Sequence, residues 1–105
     1  AYTCGIGVVA AVGGARAVWN VDFAASALAV GRANAERNGV EATRFRTLEE
    51  DVIPAVRQLA GLPVKGRGAR GRRFTKLAPE TFDVVVLDPP RWARTPFGAV
   101  DVVRD

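Results

Sequence analysis

Ala1-Tyr2-Thr3-Cys4-Gly5-Ile6-Gly7 leads without a break into the apolar run Val8-Val9-Ala10-Ala11-Val12. Two glycines one residue apart let a backbone turn tightly and let a ligand approach without meeting a Cβ. A helix beginning at about Gly7 would turn its free N–H groups and the positive end of its dipole toward that ligand. The start of the chain is therefore the first candidate site. A strand is expected to lead into such a turn, and nothing precedes Ala1 in this sequence.

Working outward, Gly13-Gly14 ends the first short helix. Ala17-Val18-Trp19-Asn20-Val21 is apolar, β-branched and aromatic, which fits a buried parallel strand, and it finishes on Asp22. From about Ala24 to Asn38 no proline interrupts a run of helix formers. Leu28, Gly31 and Ala35 share one stripe, Arg32, Glu36 and Arg37 point toward solvent, and Gly39 is the stop. Thr43 to Thr47 alternates as a half-exposed strand. Asp51 stands as a helix N-cap, with Pro54 tolerated in the first turn. Val52, Ile53, Val56, Leu59 and Ala60 supply helical spacing up to Gly61.

Leu62 to Thr81 has neither period, whereas Phe82-Asp83-Val84-Val85-Val86-Leu87 reads as a central strand, apolar on both faces. It empties into Asp88-Pro89-Pro90. Arg91 to Thr95 reads as a loop and Ala99 to Asp105 as the start of another helix. The order turn, helix, strand, helix, strand, helix, strand predicts an α/β fold with a parallel sheet.

Composition narrows the chemistry. The 105 residues suffice for one small domain. There is no histidine, so histidine bases and histidine metal ligands are excluded, and the single cysteine, Cys4, forms no internal disulfide and no zinc spacing. The apolar runs are much shorter than the roughly 20 residues that span a bilayer, so no membrane partner is expected and a cytoplasmic location is the default. With no methionine anywhere, the chain reads as an internal piece of a longer protein. The formal charge is +4, and Lys65, Arg67, Arg70, Arg72, Arg73 and Lys76 carry six of the fifteen positive charges with no acid between them. The rest of the chain is net acidic. That basic stretch reads either as a solvated, flexible insertion at about 62–81 or as a contact for a polyanion.

Ligands in open α/β sheets bind beyond the carboxyl ends of the strands, and each predicted end carries something distinctive: the Gly5/Gly7 turn, Asp22, Asp51, and Asp88-Pro89-Pro90. Gly5-x-Gly7-x-x-Ala10 fits the dinucleotide fingerprint, with Asp22 as the acid for ribose hydroxyls. Asp22 has an alternative role as a helix N-cap, and Asp51 likewise. Phe23 suits either an adenine face or the core. Cys4 has no neighbouring base to activate it and reads as a small residue in a crowded turn. Asp88-Pro89-Pro90 discriminates between nucleotides, because a carboxylate beside rigid carbonyls suits an ammonium or a reactive amine better than a pyrophosphate.

Taken together these motifs resemble the class I S-adenosylmethionine-dependent methyltransferases, and most closely the bacterial ones that modify bases of large-subunit ribosomal RNA. The resemblance rests on Tyr2-Thr3-Cys4-Gly5 for the family's Y-T-G-G or Y-T-G-S, on Gly13-Gly14-Ala15, and on Val21-Asp22. It continues through Asn34-Ala35, Asn38-Gly39, Asp51-Val52, Phe82-Asp83-Val84 with Asp88-Pro89-Pro90, and Val100 to Asp105. It implies a Rossmann-like sheet with helices on both faces, here incomplete because the first strand and the C-terminal strands are absent. Residues 1–105 would then be a partial methyltransferase domain, unable to fold into a closed sheet or act alone.

The resemblance also implies the cofactor, S-adenosyl-L-methionine, and the residues around it. Tyr2, Thr3, Gly5 and Gly7 would line the methionine end, and Asp22 would hold the ribose. Phe23, Asp51 and Val52 would lie at the adenine, and Asp88 and Pro89 near the methionine amino group. Asp88 would also be the catalytic residue beside the target base, with Pro90, Arg91 and Trp92 toward that base. Ala24 departs from the family's frequent serine or threonine. Arg91 replaces an aromatic residue usual in amine-methylating relatives, leaving Trp92 to stack. The implied partner is RNA, with the basic stretch as an additional phosphate contact. An NAD-type oxidoreductase domain and a non-catalytic RNA-binding module are the competing readings.

Overall fold

The computed structural model describes residues 2–64, 75–87, 92–95 and 98–101. The chain divides into two units, Ala1–Glu49 and Glu50–Asp105.

The first unit holds α1 (Gly5–Val12), β1 (Val18–Asp22), α2 (Ala25–Arg37), a 3-10 turn (Ala42–Arg44) and β2 (Phe45–Glu49). β1 and β2 pair in parallel, in register from Val18 opposite Phe45 to Asp22 opposite Glu49. Parallel neighbours need a long crossover, and α2 supplies it. Residues opposite one another in the register share a face of the sheet. Val18 and Phe45 accordingly meet Cys4, Val8, Ala11, Leu28, Ala35 and Val40 in one apolar core. The predicted stripe of α2 is the buried one: Leu28, Gly31 and Ala35 face inward, and Arg32, Glu36 and Arg37 are exposed. Gly39 takes φ +72° and ends the helix as expected. β2 begins two residues later than the alternation predicts, because Ala42–Arg44 closes a 3-10 turn first. That turn aims the Arg44 guanidinium at the open end of α1, where it donates to the carbonyls of Ala11 (2.8 Å) and Ala15 (2.6 Å).

The start of the chain differs from expectation. α1 begins at Gly5 rather than Gly7, and the sharp turn before it is made by Tyr2 (φ +42°) and Cys4 (φ +63°). The glycines are helical, so they serve spacing and not backbone handedness.

The second unit holds α3 (Val52–Leu59) and an antiparallel pair, β3 (Trp92–Thr95) and β4 (Gly98–Asp101), with Trp92 opposite Asp101. This pair replaces the loop expected at 91–95 over Trp92–Thr95 and the helix expected at Ala99 to Asp105 over its first three residues; Arg91 and residues 102–105 lie outside the described residues. Windows of four residues are too short to separate the two periods, and Trp92, Thr95 and Val100 suit a pleated pairing. In α3 the apolar stripe is only partly covered: Ala55 is buried, Val52, Ile53 and Leu59 are half-buried, and Val56 and Ala60 are exposed. The expected central strand at 82–87 is not formed. Val84 and Val85 are 78% and 73% exposed, and no described strand pairs with them. A strand apolar on both faces is stable only with partners beside it and layers over it. Among the described residues no helix is long and apolar enough to cross a membrane.

Candidate functional site

In the first unit the site grows from the carboxyl end of β1. There Asp22 accepts from the Ala24 amide at Oδ1 (2.9 Å) and from the Tyr2 amide at Oδ2 (2.7 Å). The first bond closes a local turn ahead of α2; the second ties the chain's opening turn to the strand end. Partial burial acts to raise the Asp22 carboxyl's pKa, while the amides of Ala24 and Tyr2 and the positive charge of the chain's amino terminus act to lower it, and the group lies below its ordinary value. Exposed aromatic rings flank this carboxylate in sequence and through the Tyr2 bond: Tyr2 is 74% exposed and Phe23 40%. Phe23 is therefore not a core residue.

α1 starts beside this turn with no side chain capping it, because Cys4 occupies the N-cap position and makes no cap hydrogen bond. No acid lies in its first turn either. Uncapped amides at a helix start favour an anionic group. A Cβ placed on Gly5 would meet nothing within 4 Å, so Gly5 opens onto free space. Gly7 does not: a Cβ there would collide with Asn20 Oδ1 and come within 3.1 Å of Val18 Cγ1. Of the two glycines, Gly5 lies at the open surface and Gly7 lets α1 pack on β1. Thr3 offers its carbonyl to Asn34 Nδ2 at 3.4 Å, which fixes the turn to α2.

Cys4 is buried, its Sγ 3.9 Å from the Tyr2 carbonyl. Burial pushes its thiol pKa up, the Asp22 charge adds to this, and Arg32 acts the other way. Buried in the core, Cys4 packs the turn against α2. Its neighbour is Gly31, where a Cβ would sit 2.8 Å from Cys4 Cβ.

Three residues of this architecture were given no role from the sequence, although Asn34 stands in one of the motifs that carry the resemblance. Asn20, buried in β1, donates to the Arg46 carbonyl (3.0 Å) and abuts Gly7; a lone amide inside an apolar run was its signal. Asn34 and Arg44 carried no signal for their roles, since their targets are backbone carbonyls remote in sequence.

In the second unit Asp51 caps α3, accepting from the Ile53 amide at 3.3 Å. It is buried, and Val52 is half-buried. Lys76 of the basic stretch is exposed, while Lys65, Arg67, Arg70, Arg72 and Arg73 lie outside the described residues. Asp88, Pro89, Pro90 and Arg91 lie outside them too, and Trp92 opens β3. Among the described residues no group of His, Cys, Asp or Glu could hold a metal ion.

The first unit thus offers a part-exposed carboxylate for paired hydroxyls, two exposed rings, and an uncapped helix start with a bare glycine. These groups fit a nucleoside joined to an amino-acid carboxylate. Residues 1–104 match the S-adenosylmethionine-dependent methyltransferase family. The chain belongs to that family. Its similar relatives include three named ribosomal RNA large subunit methyltransferase I. The one from Aeromonas salmonicida is 36% identical over 94 residues, 90% of this chain and 20% of the relative. The one from Tolumonas auensis is 38% identical over 92 residues, 88% of this chain and 19% of the relative. The one from Vibrio cholerae is 35% identical over 96 residues, 90% of this chain and 20% of the relative. The chain therefore spans about a fifth of the length of these relatives. No solved structure matches it. The family's cofactor is S-adenosylmethionine, which sets aside the dinucleotide of the oxidoreductase reading. The α/β order and the parallel β1–β2 pair joined by α2 agree with the methyltransferase sheet.

Proposed function

We propose that the chain is the cofactor-binding core of an enzyme that methylates a base of ribosomal RNA. The observation that carries the reading is Asp22, fixed by two amides beside an uncapped, glycine-opened helix start. When bound, S-adenosylmethionine supplies a methyl group activated by its sulfonium. Asp22 accepts the ribose hydroxyls. The first-turn amides of α1 and the open face at Gly5, with Tyr2 and Thr3 before them, receive the methionine end. Gly7 keeps α1 seated on β1. Phe23, Asp51 and Val52 border the adenine. Asp88 and Pro89 hold the methionine amino group, and Asp88 orients the target base against Pro90, Arg91 and Trp92. Transfer of this kind needs alignment and exclusion of water more than a strong base.

RNA is the partner, as the names of the relatives suggest. Lys65, Arg67, Arg70, Arg72, Arg73 and Lys76 add phosphate contacts, so affinity falls with salt in proportion to the counterions they release. The deciding experiment is methyl transfer to unmodified ribosomal RNA by the full-length protein, alongside calorimetric titration with S-adenosylmethionine and with NAD. Binding of NAD alone, or cofactor binding without transfer, overturns the proposal. Deleting the basic stretch without change in RNA affinity or salt slope removes it from the interface.

A further inference from the structure

Glu50 is a charged side chain with a buried carboxyl, 3% exposed, and the cofactor contacts proposed above do not use it. Its two oxygens face two backbone amides. Oε1 accepts from Asp51 (2.9 Å), the next residue, and Oε2 accepts from Thr75 (2.5 Å), which lies 25 residues on. Asp51 in turn spends Oδ1 on the Ile53 amide, so one chain of hydrogen bonds runs from Thr75 through Glu50 into the first turn of α3. The arrangement demands an acceptor at both ends. A buried amide left without one costs the full desolvation of the group.

A second clasp holds the same strap further along α3. Gln58 donates from Nε2 to the Thr75 carbonyl (2.7 Å), and its Oε1 accepts from the Leu77 amide (2.8 Å). Glu80 then donates its amide to the Leu59 carbonyl (3.0 Å). The strap at 75–80 is thus held at Glu50, Gln58 and Leu59. Only the Glu50 clasp also fixes Asp51.

We infer that Glu50 is a positioning residue for the adenine side of the cofactor site, setting the Asp51–Val52 backbone through its hold on the Asp51 amide. This rests on the proposed placement of Asp51 and Val52 at the adenine. Glu50→Gln keeps the size of the side chain but puts an N–H donor where one of two amides needs an acceptor. In the full-length protein it should raise the KM for S-adenosylmethionine about tenfold, leaving the KM for RNA and the kcat at saturating cofactor within about twofold. Gln58→Ala loosens the same strap without touching Asp51, and should leave the cofactor KM within about twofold.

An unchanged cofactor KM in Glu50→Gln overturns the inference. So does an equal rise in both variants, since the strap and not the Asp51 amide would then be responsible. Should Glu50→Gln not fold, Glu50→Asp carries the test: its shorter stem keeps two acceptors but misplaces them, and the cofactor KM should still rise while the RNA KM does not. A wild-type protein that binds no S-adenosylmethionine overturns the cofactor reading itself. A wild type that binds it, with Glu50 variants that bind it equally well, overturns only the role of Glu50.

Discussion

The Tyr2 amide and the Asp22 carboxylate, twenty residues apart in the chain, are joined by a hydrogen bond of 2.7 Å. This bond brings the opening turn to the end of β1, and with it the two features that define the first unit's site. Asp22→Asn replaces one acceptor oxygen with a donor, so either the Tyr2 or the Ala24 amide loses its partner. Affinity for S-adenosylmethionine should fall at least about tenfold, since hydrogen bonds to a charged group contribute about 1.5–3 kcal/mol. Calorimetric titration of the variant checks this, and undiminished affinity removes Asp22 from the ribose.

The same carboxylate gives a signed pH dependence. The folded-state pKa of Asp22 lies below its ordinary value of 3.8. The folded state therefore binds a proton less readily than the unfolded state. Its contribution to stability is fully present above the ordinary value and is lost as pH falls through the depressed one. Thermal unfolding from pH 6 down to about pH 2 should show the wild type losing a stabilising increment that Asp22→Asn lacks throughout. Parallel curves for the two proteins contradict this.

Cys4 and Gly31 form a matched pair in the core. Gly31→Ala gains helix propensity of about 1 kcal/mol, yet its new Cβ would sit 2.8 Å from Cys4 Cβ. Overpacking of that kind costs about 1–3 kcal/mol, so net destabilisation is expected. Cys4→Gly removes the clashing atoms and relieves the left-handed backbone at φ +63°. Introduced together, the two changes should be less damaging than the sum of the single variants, with a coupling of about 1 kcal/mol or more in a double-mutant cycle. Simple additivity in urea unfolding refutes the pairing.

Arg44 is expected to matter more than its position at a turn suggests. Its guanidinium satisfies carbonyls of Ala11 and Ala15 at the end of α1 and also meets Glu41 at 3.5 Å. Arg44→Lys keeps the charge but not the planar guanidinium, whose Nη2 serves both carbonyls while Nη1 meets Glu41. It should destabilise the protein by about 1–2 kcal/mol, and Arg44→Ala by somewhat more. Denaturant midpoints for the two variants that match the wild type contradict this capping role.

Much of the first unit was legible because local rules agree there. The inward stripe of Leu28, Gly31 and Ala35, the stop at Gly39 and the strand ending at Asp22 each follow from period and turn chemistry alone. Asp51 as a cap was legible for the same reason. The sequence misassigned what depends on partners. Phe82 to Leu87 has the composition of a central strand, but composition does not provide neighbours, and those residues form no described ladder. The handed turn was assigned to glycines because glycine is the least strained choice, while Tyr2 and Cys4 carry the positive φ. Bonds such as Glu50 to Thr75 join residues too distant in sequence for any period to reveal.

That last misassignment separates two glycines treated alike in the sequence. Gly5 is helical and faces free space, so Gly5→Ala should leave stability unchanged or raise it by up to about 1 kcal/mol through helix propensity. The added methyl group enters the volume assigned to the methionine end of the cofactor, and S-adenosylmethionine affinity should drop severalfold. Gly7→Ala should do the reverse. Its Cβ collides with Asn20 and crowds Val18, forcing α1 off β1 at a cost of about 1–3 kcal/mol. Cofactor binding should then weaken only as far as the fold does. Measuring the denaturant midpoint and the cofactor affinity of both variants resolves the two roles. If Gly5→Ala destabilises the protein while binding normally, the open face at Gly5 is not where the cofactor lies.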